Sequence, residues 1–193
     1  DVAVRVDGPG TGDGFQLFCD GQTDISDASR AIKDEEAQAC ADAGVEYVEL
    51  QVGIDGLSVI TNPNNDKIDC LTFEQLYGLI GPESEGFDNW SAANELVTEI
   101  GGTGDLPDAP LEITAPGEES GTYDSFIEIV LAGIAEARVE AGTITEDQAG
   151  TTRPDYSSQA NDYAIIDGIA GSDTSLVWGG VGFADQNRGS VKL

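Results

Sequence analysis

The chain has 193 residues, of which 37 are acidic and 8 are basic, so its formal net charge is -29. Such a charge repels nucleic-acid phosphates and anionic membrane surfaces, and neither is expected as a partner. Histidine is absent, which removes the most common general base and the usual ligand of transition metals. The hydrophobic content of 39% is still sufficient for a folded core.

The acidic residues are spread along the whole chain. This distribution is typical either of a surface that must stay hydrated in high salt or of an ordinary acidic secreted protein, and the sequence leaves both open. No apolar run is long enough to span a bilayer, so membrane insertion of this segment is not expected, and any export signal is expected to lie outside it.

The first third of the chain predicts alternating strands and helices. Its order is strand, helix, helix, strand, strand, which is typical of an α/β layer with crossover connections. The predicted elements are a strand at 2–6, a glycine-rich turn at 8–14, a helix at 14–21, a loop at 23–30 with Ile25 buried, a helix at 33–43, and strands at 45–50 and 57–61 joined by a turn at Asp55-Gly56.

The polar run at 62–66 (NPNND) is typical of a connection between lobes, so the prediction is a first α/β lobe over 1–61 and a second over 62–193. Trp90 is expected to pack inside the second lobe. Further elements predicted there are a helix at 73–80 capped by Thr72, a short element at 94–100, a strand at 111–115, a long amphipathic helix from about 122 to 139, a polar loop at 155–160, a helix at 161–169 and a strand at 175–183.

The three cysteines show no CxxC spacing, so a zinc site is not expected. Cys19 and Cys40 both fall near predicted helix ends in the same lobe and are a candidate disulfide pair. Such a bond would imply an oxidising compartment and would leave Cys70 unpaired.

Two turns carry hydroxyl groups to the start of a helix. The first includes Gly10 and Thr11, and the loop that follows its helix adds Ser29 and Arg30. Because a helix start presents unpaired N–H groups and a partial positive charge, it favours an anion, and a guanidinium adds charge-assisted hydrogen bonds. The alternative is structural, with the glycines making only a tight turn and Ser29 capping the next helix.

The second turn follows the predicted strand at 111–115. Ser120 and Thr122 place two hydroxyls at the start of the long helix, and Gly121 allows a ligand to approach the backbone closely. The alternative is an ordinary Ser/Thr helix cap. Together the two turns predict a site for an oxyanion.

The chain resembles phosphate-binding proteins of the PstS type, the substrate-binding components of phosphate ABC transporters. Segments along nearly the whole chain carry the resemblance in family order: GPGTGDGF at 8–15, TDISDASRAIK at 23–33, DCLTFEQL at 69–76, PGEESGTYDSF at 116–126 and GGVGFADQN at 179–187. The family pattern begins before Asp1 and continues past Leu193, and some members have an arginine where this chain has Pro116. The resemblance therefore implies a two-lobed, type II periplasmic-binding-protein architecture whose first lobe is incomplete.

By this resemblance, phosphate would lie between the lobes without any cofactor. The implied ligand-binding residues are Gly10, Thr11, Ser29, Arg30, Ser120, Gly121 and Thr122. The implied function is non-catalytic capture of inorganic phosphate outside the cytoplasm for delivery to a membrane permease, and no metal site is expected. Asp24 or Asp27 could serve as the acceptor that distinguishes a protonated anion from sulfate.

Two other functions stay open at this point. One is a Mg²⁺-dependent phosphatase-like enzyme that uses carboxylates such as Asp24, Asp27 or Asp55. The other is a truncated, ligand-free module with a structural or interaction role.

Overall fold

The computed structural model describes residues 3–7, 10–54, 56–118, 120–159 and 162–193, with only the backbone described at 162 and 163. It confirms the predicted mixed α/β class. The chain forms two compact units, residues 1–54 and 55–193.

The first unit is built on two helices, α1 (Thr11–Cys19) and α2 (Asp34–Asp42). Helix α1 begins after Gly10, whose φ of 90° lies in the left-handed region that glycine adopts without strain. Cys19 of α1 and Cys40 of α2 form a disulfide, the pair that the sequence suggested, and both are buried. The bond fixes one end of α1 to one end of α2.

Two strands predicted for this unit are not formed among the described residues. Residues 3–6 and 45–50 are irregular, while residue 2 lies outside the described part. A strand needs a neighbour for its backbone hydrogen bonds and a layer to cover its apolar face. Val4 in the first segment is 81% exposed and Val48 in the second is 82% exposed, so no layer covers these apolar side chains. Ile25, which was predicted to be buried, is 77% exposed.

The second unit contains a four-stranded mixed sheet in the order β1-β4-β2-β3. Its strands are β1 (Leu57–Ile60), β2 (Glu112–Pro116), β3 (Ser157–Gln159) and β4 (Ser175–Gly180). Strand β4 is antiparallel to β1 and parallel to β2, which is in turn parallel to β3. Typical register pairs are Ile60 with Val177 and Ile113 with Leu176.

Helices make up most of the remaining regular structure of the second unit. They are α3 (Phe73–Ile80), α4 (Asn94–Glu99), α5 (Gly121–Phe126), α6 (Ala132–Glu140), α7 (Glu146–Ala149), α8 (Asp162–Gly171) and α9 (Val181–Gln186), with a π-helical turn at Ile127–Leu131 and 3₁₀ turns at Pro82–Ser84 and Trp90–Ala93. Helices α5, α8 and α9 pack against strands of the sheet. The side chains of successive residues of β4 point to opposite faces of the sheet, as in any pleated strand. Trp178 lies in the larger core with α3 and α5, and Val177 in a smaller core with α8.

The boundary between the units lies after residue 54, and not after residue 61 as the sequence suggested. Strand β1 belongs to the second unit because it pairs with β4. The polar run 62–66 consequently connects elements within one unit. Asn62 and Asn65 are buried there, and their amides donate to the Ile169 carbonyl at 2.9 Å and the Thr61 hydroxyl at 2.8 Å.

Several other elements predicted for the second unit are present in the structure. Thr72 caps α3 by accepting from the Gln75 backbone N–H, and the predicted strand at 111–115 is β2. The polar loop at 155–160 instead contains β3, with residues 160 and 161 outside the described part. The last predicted strand ends at Gly180, where α9 begins.

Trp90 is a packing residue, as expected. It is 1% exposed, and its indole N–H donates to the Thr174 carbonyl at 3.0 Å.

Candidate functional site

Several candidate residues of the first unit lie on or beside one face of α1. Thr11, Phe15 and Cys19 are spaced four residues apart, so they lie on the same side of the helix. The Thr11 hydroxyl lies 3.0 Å from the Ser29 hydroxyl and accepts from the Ser29 backbone N–H at 3.3 Å. The Thr11 and Ser29 side chains therefore lie together at the start of α1, next to the N-cap residue Gly10.

Arg30 lies next to this cluster, between the two helices. Its guanidinium carbon is 5.3 Å from the centroid of the Phe15 ring, within the range of a cation–π contact. Its two terminal nitrogens donate to Glu36 of α2, with Nη1–Oε2 at 2.8 Å and Nη2–Oε1 at 2.7 Å. Nη1 also donates to the Ala31 carbonyl at 3.1 Å. The structure thus places the arginine in a forked ion pair.

The pair shifts the titration of Glu36. Hydrogen bonding to Arg30, with help from the Lys33 backbone N–H, lowers the pKa of Glu36 from 4.5 to about 2. Glu36 is therefore ionised across the physiological range.

Sequence reasoning missed Glu36 and Phe15. The available signals were the position of Glu36 three residues into α2, which is that of a capping-box glutamate, and its four-residue spacing from Cys40.

The structural alternative for Ser29, that it caps α2, is not what the structure shows. The residue at the N-cap position of α2 is Lys33, and the Glu36 side chain accepts from its backbone N–H at 2.8 Å.

The second candidate turn leads from β2 into α5. Ser120 is the N-cap of α5, and its hydroxyl accepts from the Thr122 backbone N–H at 3.2 Å. Gly121 is exposed, and a side chain there would meet no atom within 4 Å. The helix-cap alternative is therefore realised for Ser120, and open space at Gly121 leaves room for a ligand beside the same turn.

Helix α5 runs directly into the π-helical turn at Ile127–Leu131 and then into α6. Such turns are often found near functional sites. Partial desolvation and, second, the neighbouring Glu128 raise the pKa of Asp124 in the first turn of α5.

Gly10, Thr11, Ser29 and Arg30 belong to the first unit, and Ser120, Gly121 and Thr122 to the second. Two carboxylates considered for Mg²⁺, Asp24 and Asp27, are exposed, and Asp55 lies outside the described residues. Across the described part of the chain, no group of three His, Cys, Asp or Glu side chains is placed to hold a metal ion.

The second unit also contains a cavity of about 280 Å³ beside β2 and β3. Arg153 and Asp155 line it and are paired with each other, with Nε–Oδ1 at 2.6 Å and Nη2–Oδ2 at 2.7 Å. None of the predicted site residues lines this cavity.

A sequence profile of the PBP superfamily domain matches residues 1–187. The chain belongs to this superfamily. Among curated relatives, it is 35% identical over 192 residues to protein SphX of Synechocystis sp. and 29% identical over 192 residues to the phosphate-binding protein PstS of Staphylococcus saprophyticus. These alignments cover 99% and 100% of the chain but 50% and 51% of the relatives, so the chain spans about half their length.

Solved structures agree on the fold. A crystal structure described as a possible phosphate binding protein from Planctomyces limnophilus has a TM-score of 0.73 and 30% identity, over 95% of this chain and 56% of that one. An ABC-type phosphate transport receptor from Vibrio cholerae has a TM-score of 0.61 and 21% identity, over 99% of this chain and 64% of that one, and supports the fold alone. None of the described helices of the present chain combines the length and apolar character that crossing a bilayer requires.

Proposed function

We propose that this chain is part of an extracytoplasmic substrate-binding protein that captures inorganic phosphate for an ABC transporter. The observation that carries the proposal is the cluster at the start of α1, where the hydroxyls of Thr11 and Ser29 meet beside the paired guanidinium of Arg30. Directed hydroxyl, amide and guanidinium donors are what a desolvated oxyanion requires.

The names of the relatives support the choice of anion. The matched PstS of S. saprophyticus is a phosphate-binding protein, and the matched P. limnophilus structure is described as a possible phosphate binding protein. In this proposal the phosphate-binding residues are Gly10, Thr11, Ser29 and Arg30 of the first unit and Ser120, Gly121 and Thr122 of the second. The site performs no chemistry, so the protein is not an enzyme, and its macromolecular partner is the membrane permease.

Thermal unfolding tests this proposal. Purified chain is heated with phosphate, arsenate, sulfate or chloride at matched ionic strength. Phosphate at 100 times its dissociation constant adds about 2.7 kcal/mol to the free energy of unfolding. For a chain of this size the melting temperature should then rise by roughly 5 to 10 °C.

The anions separate the alternatives. Stabilisation by phosphate and arsenate but not by sulfate supports a site with a carboxylate acceptor, for which Asp24 and Asp27 are the candidates. The absence of any phosphate-dependent rise would favour a ligand-free module. Hydrolysis of a phosphate ester in the presence of Mg²⁺ would favour the enzyme.

A further inference from the structure

The Arg30 guanidinium is held on two sides within the first unit. The Phe15 ring lies 5.3 Å away on the α1 side, and the Glu36 carboxylate accepts from both terminal nitrogens on the α2 side. The Arg30 and Glu36 side chains are 21% and 18% exposed, so solvent competes weakly for this pair. A guanidinium is planar, and a bidentate partner therefore orients all five of its N–H groups at once.

Glu36 is itself held in place. Its Oε2 accepts from the Lys33 backbone N–H at 2.8 Å as well as from Arg30, so the carboxylate is tied to the first turn of α2. Cys40 lies one helical turn further along the same face of α2 and is bonded to Cys19 of α1. The disulfide thus keeps the helix that carries Glu36 against the helix that begins at Thr11.

We propose that Glu36 is a positioning residue for the phosphate site, which fixes the direction of the Arg30 N–H groups and cancels the net charge of that side chain. The inference rests on the proposed function. In this arrangement Arg30 serves phosphate as a directed donor and not as a free positive charge. A paired arginine also suits an acidic chain in high salt, because directed hydrogen bonds are screened less than distant charge.

Removing Glu36 has two opposite effects on phosphate binding. The freed arginine must be ordered when the ligand binds, which weakens affinity by about 5- to 10-fold for a rotamer-rich side chain. The uncompensated charge attracts the anion, but this attraction is screened as salt is added. The variant should consequently bind more weakly than wild type at high salt, and its affinity should fall more steeply with salt concentration.

The experiment measures phosphate dissociation constants from low to high NaCl for the wild-type chain, Glu36→Ala, Glu36→Gln and Glu35→Ala. Glu35 lies in the same turn of α2 and is exposed, so Glu35→Ala removes the same charge from the same helix start while the Glu36 carboxylate that pairs with Arg30 is kept. Glu36→Gln keeps the side-chain shape and provides the test if Glu36→Ala does not fold. The expected result is an affinity about 5- to 10-fold weaker at about 1 M salt, with a steeper salt dependence, for both Glu36 variants but not for Glu35→Ala.

Two results would overturn the inference while leaving the proposed function intact. One is wild-type affinity and salt dependence in the Glu36 variants. The other is weaker affinity with the same salt slope as Glu35→Ala, which would indicate a merely structural role. A wild-type chain that binds no phosphate would overturn the inference together with the proposed function.

Discussion

The indole of Trp178 stacks on the ring of Phe126, with the ring centroids 4.5 Å apart and the planes inclined by 25°. This contact joins the central strand β4 to the helix that begins at the Ser120 turn. Both side chains are fully buried. The position of that turn is therefore set by the core of the second unit.

The two tryptophans of the second unit should respond differently to the same substitution. Trp90 donates its indole N–H to Thr174, whereas the indole N–H of Trp178 has no hydrogen-bond partner in the described part of the chain. Trp90→Phe should therefore destabilise more than Trp178→Phe by about 1 kcal/mol, the net value of one hydrogen bond. Urea unfolding of both variants measures the difference, and an equal or larger loss for Trp178→Phe would contradict the expectation.

Gly168 of α8 should not tolerate a side chain. A Cβ there would lie 2.5 to 2.6 Å from three side-chain atoms of Thr114 on β2. Gly168→Ala should destabilise by about 1 to 3 kcal/mol through overpacking. Gly133 of α6 has open space, and Gly133→Ala should stabilise by up to about 1 kcal/mol because alanine favours the helix. Thermal unfolding of the pair gives opposite signs if the packing is as described.

The disulfide should stabilise the first unit. Cys19 and Cys40 are 21 residues apart, and closing a loop of this length is worth about 3 kcal/mol in the chain-entropy account. The double variant Cys19→Ser, Cys40→Ser should lose that amount, as measured by hydrogen exchange of the α1 and α2 amides. Cys70 is free and exposed, so Cys70→Ser serves as the control and should exchange like wild type.

The Arg30–Glu36 pair predicts a specific acid sensitivity. The pKa of Glu36 is lowered from 4.5 to about 2, so its contribution to stability is complete above pH 4.5 and is lost as the pH falls from 4.5 towards 2. The loss should be about 2 to 3 kcal/mol.

Stability is measured from pH 5 to pH 2.5 for the wild-type chain, Glu36→Gln and Glu35→Gln. Glu36→Gln should show a shallower decline than wild type, and Glu35→Gln should follow wild type. The side-chain carboxyl carbon of Glu36 is followed in an NMR titration. If the midpoint of its chemical-shift change lies near pH 4.5, the lowered pKa is refuted.

Among the proposed phosphate-binding residues of the first unit, Arg30 should contribute the most to the affinity for phosphate. Replacing a charge-assisted donor by alanine should weaken binding about 10- to 100-fold. Arg188 is 71% exposed in a surface pair with Asp185, and Arg188→Ala removes the same charge without a comparable loss. Titration calorimetry of both variants compares them. Equal affinity in Arg30→Ala and Arg188→Ala would remove Arg30 from the site.

Local signals in the sequence were sufficient for much of the second unit. The Thr72 cap with Gln75 three residues later marked the start of α3, and the Ser-Gly-Thr turn at 120–122 marked the start of α5. Caps, turns and apolar spacing act within a few residues, so they can be recognised without knowing the partners. The net charge followed from composition alone, and the candidate hydroxyls and cysteines were recognised from their positions near predicted helix ends.

Long-range partners decided the rest. Residues 45–50 alternate like a strand, yet they form none because nothing in the described first unit pairs with them. Residues 62–66 look like a linker, yet Asn62 is buried and donates a hydrogen bond to a carbonyl 107 residues away. Strand pairing, burial and ion pairs such as Arg30–Glu36 depend on groups that meet only after folding, because neither backbone pairing nor charge neutralisation is encoded at a single position.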